Sequence, residues 1–269
     1  MESVIEDKLR ILFITQDDPF YVRLFFDEFF RHYARREEII GVVIAEAMGK
    51  KSTGRLARQM FDFYGLKDFV KVGIKFASYK VMAATGKFMI PGKHFSLSQL
   101  CSDYGIEVFP GSDVNGKKFL EGLQALRPDL IISVAAPVIF KRELIVLPRL
   151  GCINIHNGML PHYRGMLPNF WQMYHDEKQV GITVHEINEH LDDGRILVQE
   201  KVDILPQETL DSLIRRTKLL GAHVMARAIA SLRDGTVAYR DNPASEGSYF
   251  SFPTREHVRQ FKRNGKRLI

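Results

Sequence analysis

The stretch from Gly151 to Ile196 gathers side chains with chemical use: Asn154, His156, His185 and the acidic pair Asp192 and Asp193. An Asn amide and an imidazole are donors of the kind that stabilise a carbonyl oxygen as it gains negative charge. A nearby carboxylate can hold a histidine protonated, or take up a proton and relay it. Asn154 and His156 lie two apart at the end of an apolar run that begins at Cys152, so they share a face if the strand persists through both. Each residue alone has a plainer reading. An Asn in an apolar strand is usually a hydrogen-bonded core group, His156 and His185 suit structural roles, and Asp192 before Asp193 and Gly194 suits a turn. Arg164, beside Gly165, either binds an anion or folds its loop, and its five fixed donors favour the loop. His185-Glu186-x-x-x-His190 is not a zinc helix, because the second His comes one place late and the region alternates like a strand. No metal is expected.

The elements that must position these residues follow from apolar patterning. Leu9 to Ile14 reads as a buried strand ended by the turn at Gln16, Asp17, Asp18 and Pro19. Val22 to Tyr33 places Leu24, Phe25, Phe29 and Phe30 at helical spacing, and Ile39 to Ala45 is a second strand. Strand, helix, strand at this spacing opens a parallel sheet. No G-x-G-x-x-G follows the first strand, which argues against a dinucleotide site. Gln16 and Asp17 sit where open α/β sheets place ligands, and are candidates for substrate contact or support, with a plain turn as the alternative. The pattern continues with helices over 97–104 and 117–126, a strand at 107–109, a central strand over 129–135 and a helix over 141–147. Beyond Cys152 to Ile155 it predicts a helix over 168–175, strands over 180–187 and 196–204, and a long helix over 209–233 capped by Thr209 and ended at Gly235.

Residues 50–95 are unconventional: two helices broken near Gly65, with aromatics interleaved among Arg55, Arg58, Lys67, Lys71, Lys75, Lys80 and Lys87. From Lys50 to Lys93 there are ten Lys or Arg against Asp62 and Asp68, a local excess of eight in a chain whose net charge is +6. This is either a helical insertion with a solvated basic face or a surface for anionic lipid or phosphate. Gly49 to Gly54 has the look of a phosphate loop, but Arg55-Leu56 stands where Lys-Ser/Thr is required. The remainder is ordinary for a globular protein, at 45% hydrophobic and 26% charged. The start, MESVIEDKLRI, does not read as a signal peptide, and no run approaches the ~20 apolar residues of a spanning helix. Cys101 and Cys152 form neither a metal spacing nor a disulfide framework, so a reducing, cytoplasmic setting is expected.

Asn154-x-His156, then Leu160-Pro161-x-Tyr163-Arg164-Gly165, then Gly181-Ile-Thr-Val-His185 and Leu191-Asp192-x-Gly194, resembles the 10-formyltetrahydrofolate-dependent formyltransferases. Two separated motifs in the right order make the likeness specific over about residues 128–200. Many members read His-x-Ser where this chain has Gly158, and the loss of that hydroxyl leaves open how the turn is held. The resemblance implies a Rossmann-like α/β fold: a mostly parallel sheet with helices on both faces, residues 1–205 as catalytic domain with the helical insertion at about 50–95, and 206–269 as a C-terminal helix and short tail. It implies that Asn154 and His156 polarise a formyl oxygen, while Asp192, chosen over Asp193 by Leu-Asp-x-Gly, orients His156 and moves a proton. Ala135, Ala136, Pro137, Val138, Ile139 and Phe140, with Ile187 and Leu191, would border the folate, and His185 would support the site. The co-substrate would be 10-formyltetrahydrofolate and the acceptor a primary amine of a nucleotide-linked or envelope amino sugar. The tail of 35 residues after Asp234 reads as short for a methionyl-tRNA enzyme, which stays as the alternative, so nucleic acid is not the expected partner. Another alternative is a non-catalytic phosphate- or membrane-surface-binding protein on the same fold. Peripheral membrane contact through 50–95, and a homodimer through the aromatic tail, are further expectations.

Overall fold

The computed structural model describes residues 8–46, 53–85 and 94–269. Nearly continuous apolar runs form strands buried on both faces, as in parallel sheets covered by helices. In chain order the strands are β1 (Ile11–Thr15), β2 (Ile39–Ala45), β3 (Val108–Gly111), β4 (Leu130–Val134), β5 (Cys152–His156), β6 (Arg164–Gly165), β7 (Gln179–Glu186), β8 (Ile196–Asp203) and β9 (Tyr249–Phe250). The helices are α1 (Val22–His32), α2 (Thr53–Thr85), α3 (Leu97–Asp103), α4 (Lys117–Leu126), α5 (Arg142–Ile145), α6 (Pro168–Tyr174), α7 (Leu210–Arg233) and α8 (Arg255–Arg263). The main sheet has the order β3-β2-β1-β4-β5-β7-β8. Its first five strands run parallel, and β7 and β8 are antiparallel to their neighbours. The expected α/β architecture is therefore present.

Alternation along β1 divides the core. Ile11 and Phe13 face a layer containing α1 and α7, while Leu12 and Ile14 face Val43, Leu123 of α4 and Leu144 of α5. Phe13 meets Phe26 and Phe29 edge-on, each at 5.2 Å between ring centroids, a geometry aromatic pairs favour. The α7 helix begins at Thr209, whose side chain accepts the Ser212 N–H as expected. It buries Leu213, Val224, Met225 and Ile229 in the same core as β5 and β7, so α7 shares one core with the sheet. Beyond it the tail is more structured than its composition suggested. Thr254 caps α8 in a capping box with His257, and Val258 and Phe261 are buried. Phe250 stacks on Trp171 and Tyr163, and Phe252 packs on Phe63. The tail aromatics expected at a dimer contact thus find partners within the chain, with Tyr249 left exposed.

The α2 helix is interrupted at Gly65, which has φ +73° and ψ 168°, so two helical pieces meet there as expected. Its first piece is pinned by Phe63, against Phe170 at 5.8 Å. Its second is pinned by Phe76 and Tyr79 against Phe20, at 6.1 and 5.7 Å, and by a Lys80–Asp17 ion pair at 2.8 Å. Residues 49–52 of the Gly49 to Gly54 stretch, together with Lys87 and Lys93, lie outside the described residues, while Gly54 falls in α2. No described helix is long and apolar enough to cross a membrane.

Candidate active site

Strand β5 continues through His156, so Asn154 and His156 project from one face. The antiparallel register sets His185 of β7 opposite Asn154, and Thr183 opposite His156. The Asn154 Nδ2 amide donates to His185 Nε2 at 3.1 Å, and His185 Nδ1 donates to the Glu186 carbonyl at 2.7 Å. Those two contacts require a neutral His185 with its proton on Nδ1. Burial is the main force pushing His185 down to about 4 from 6.5; His156 and Arg164 push the same way, while Asp192 and the Glu186 carbonyl oppose. An imidazole kept neutral in this way holds the Asn154 amide by one N–H and leaves the second N–H for a ligand.

Asp192 lies between the two histidines. Its Oδ2 is 3.7 Å from His156 Nδ1 and its Oδ1 is 3.6 Å from His185 Nε2. The Gly165 N–H donates to Oδ2 at 2.9 Å and fixes the carboxylate. The other ring nitrogen of His156, Nε2, donates to the Tyr163 carbonyl at 2.8 Å. Each nitrogen of His156 thus faces an oxygen, an arrangement suited to passing a proton across the ring. Gly158 makes that orientation possible. A Cβ there would stand 2.6 Å from His156 Nε2 and 2.9 Å from the Tyr163 oxygen. The turn is held instead by Thr183, which donates to the Gly158 carbonyl at 2.7 Å, and by Gln199, which bonds both Thr183 Oγ1 and the Leu160 carbonyl. The question raised by the missing serine hydroxyl has its answer in those neighbours.

Asp193 points elsewhere. It pairs with the Arg164 Nη1 at 3.0 Å, and Arg164 Nη2 donates to the Asn242 carbonyl and to its Oδ1. Arg164 is buried and occupied, which is the loop-folding role. Asn242 completes the arrangement by donating to the Asp192 and Gly194 carbonyls at 2.9 and 3.0 Å. Sequence reasoning did not find Asn242, because it lies 50 residues beyond Asp192 in a tail without periodicity. The same holds for the two-residue β6–β9 pairing that clamps the Arg164 loop.

Beyond β4 the chain turns at Ala135, with φ +53°. Ala136, Val138 and Ile187 pack half-buried against the second core, and Ile139 and Leu191 are 66% and 48% exposed. The expected folate border is thus an apolar rim, with Asn115 Nδ2 holding the Ile139 carbonyl at 2.9 Å. Phe140 is buried in the core, so its side chain belongs to packing. At the β1 loop, Asp17 contacts Lys80 of α2 and Asp18 caps the Phe20 N–H, while Gln16 precedes them. Asp17 ties down α2, and its contacts are not with the Asn154–His156–Asp192 group. Burial raises both Cys thiols to about 12, which removes them as nucleophiles. Glu28, His32 and His223 are metal-ligand types that converge on the solvent side of α1 and α7, where Glu28 bonds His223 at 2.8 Å and lies 3.2 Å from His32.

A family model described as formyl transferase matches residues 79–229, more than half of the chain. Methionyl-tRNA formyltransferase of Kosmotoga olearia is 33% identical over 171 residues, covering 64% of this chain and 54% of that protein. The chain spans about half the length of the curated relatives it matches. Among solved structures, a sugar N-formyltransferase from a Shewanella species superposes with a TM-score of 0.56 at 18% identity, covering 94% of this chain and 86% of that one. Glycinamide ribonucleotide transformylase 1 from Symbiobacterium toebii gives 0.59 at 13%, covering 88% and 93%. These two likenesses are of fold.

Proposed function

This chain belongs to the formyl transferase family, and we propose that it transfers a formyl group from 10-formyltetrahydrofolate to a primary amine. The convergence of Asn154, His156 and Asp192, with His185 locking the Asn154 amide, is the observation that carries the reading. The co-substrate supplies an activated formyl carbonyl. The donor set fits that group: an amide N–H and an imidazole for its oxygen, a fixed carboxylate for the proton, and the half-buried apolar rim of Ala136, Val138 and Ile187 for a flat ring. The second N–H of Asn154 stabilises the oxygen as charge develops, a contribution worth about 10²–10³ in rate. His156 exchanges the Tyr163 carbonyl for that oxygen by turning about its side-chain torsions. Asp192, anchored by the Gly165 N–H, holds His156 and receives the proton leaving the amine, worth a further ~10²–10⁴.

The acceptor we favour is the amine of an amino sugar. Residues 240–252 fold back against the catalytic loop through Asn242, Ser248 and Phe250 and enclose the Arg164 turn, which favours a small acceptor. A basic α2 and relatives named for methionyl-tRNA make that RNA the second candidate. The test is release of tetrahydrofolate from 10-formyltetrahydrofolate against nucleotide-linked amino sugars, glycinamide ribonucleotide and methionyl-tRNA. Turnover on sugars, reduced at least ~10²-fold in Asp192→Asn with folate binding retained, is expected. Turnover on methionyl-tRNA alone replaces the acceptor, and full activity in Asp192→Asn refutes the assigned chemistry.

A further inference from the structure

The second piece of α2 is apolar on two opposite sides. Val72 and Tyr79 are half-buried on the side turned to the protein, where Tyr79 and Phe76, itself 43% exposed, meet Phe20. Leu66, Val70 and Ile74, spaced four apart, form the other side and are 69%, 48% and 66% exposed, with exposed Ala77 extending the stripe. Apolar side chains at this spacing form one continuous ridge on a helix. A helix with a second apolar side has one face the protein itself does not cover, and a contiguous exposed patch marks an interaction site.

The rim of this ridge is cationic. Lys67 and Lys71 border one edge, next to Leu66 and Val70, while Lys80 on the other edge is paired with Asp17. The acidic residues of α2, Asp62 and Asp68, are only half-exposed, and Asp68 lies 3.9 Å from Lys262. An apolar ridge edged by lysines complements a surface that is apolar below and negative at the top, which describes the interface of an anionic bilayer. An antiparallel two-fold contact with a second copy would instead bring the Lys67 and Lys71 rims together, and like charges at an interface oppose it.

The placement of α2 relates this surface to the reaction. Lys80 and Phe76 grip the loop that leaves β1, and β1, β4 and β5 are parallel, so that loop leaves the same edge of the sheet as His156. We propose that the outer face of α2 docks on an anionic lipid surface and that the amine acceptor is a sugar carried on a lipid. The second half of this proposal rests on the formyl-transfer reading above.

Sedimentation with phosphatidylglycerol–phosphatidylcholine vesicles, beside pure phosphatidylcholine vesicles, tests the docking. Binding to the anionic vesicles alone is expected, weakened more than about tenfold in Lys67→Glu/Lys71→Glu and in Leu66→Asp/Ile74→Asp. Circular dichroism and melting of the variants should match the parent, since these side chains face outward. No binding at low salt overturns the proposal, as does binding that both variants retain. A ridge that self-associates, seen as a concentration-dependent dimer lost in Leu66→Asp/Ile74→Asp without vesicle binding, also overturns it, and so does binding of tRNA in place of vesicles. For the acceptor, transfer to an aminosugar lipid in anionic vesicles should fall in Leu66→Asp/Ile74→Asp, while transfer to a soluble amine stays at the parent rate. Vesicle binding without turnover on any amine keeps the docking and removes the formyl-transfer reading.

Discussion

Replacing His185 with glutamine gives a quantitative test of how Asn154 is held. In the folded protein His185 is buried, accepts from the Asn154 amide, and has its proton affinity pushed down to about 4 from 6.5. The unfolded chain therefore takes up a proton at this histidine as the pH drops through 6.5, while the native state resists until about 4. Stability is highest above 6.5 and falls across that window. At about 1.4 kcal/mol per pH unit, the interval corresponds to a loss of about 3 kcal/mol. Glutamine keeps an acceptor oxygen for Asn154 and has no proton to gain. Urea unfolding at pH 7 and pH 4 should show the parent losing about 3 kcal/mol more than His185→Gln, equivalent to a midpoint difference of about 1–2 M urea. Turnover at pH 7 should stay within about tenfold in His185→Gln and fall further in His185→Leu, which leaves the half-buried Asn154 amide without its acceptor. If the two pH dependences run parallel to within about 1 kcal/mol, the neutral, amide-holding His185 is refuted.

Two other substitutions probe the loops around the site. Gly158→Ser puts a Cβ 2.6 Å from His156 Nε2, so it should cost about 1–3 kcal/mol and displace His156 from the Tyr163 carbonyl. Unchanged melting and turnover would refute that packing. Arg164→Met strands the Asp193 carboxylate and the Asn242 oxygens, with an expected loss of about 3 kcal/mol in chemical denaturation; a loss under ~1 kcal/mol would mean that water satisfies those groups.

The parts of this site that were readable in the sequence depend on local rules. Asn154 and His156 share a face because strand periodicity is two, and β1, β2 and β4 announce themselves as apolar runs flanked by turns. The family likeness selected Asp192 over Asp193, and the geometry gives the reason, since Asp193 is drawn away by Arg164. The contribution of His185 depends on antiparallel register, which only the folded sheet specifies. Asn242 and the β6–β9 pairing join segments separated by about 80 residues, with no pattern in either partner. The α8 helix escaped because basic residues dominate it, although Val258 and Phe261 supply its buried face. In α2 the break at Gly65 was legible, but a helix with apolar residues on both sides carries no periodic sign of which side meets the protein.

The clasp made by Asn242 has a consequence for how the molecule is born. Translation delivers Asn154, His156 and Asp192 first, and Asn242 arrives only 50 residues after Asp192. Ser248, whose Oγ and carbonyl accept the Tyr163 and Arg164 N–H groups, comes later still. A nascent chain therefore carries every reacting group for some time without the clasp that closes over their loops. Competence is timed to the arrival of residues 242–250, and a ribosome stalled before Ser248 holds the reagents with their loops unclasped.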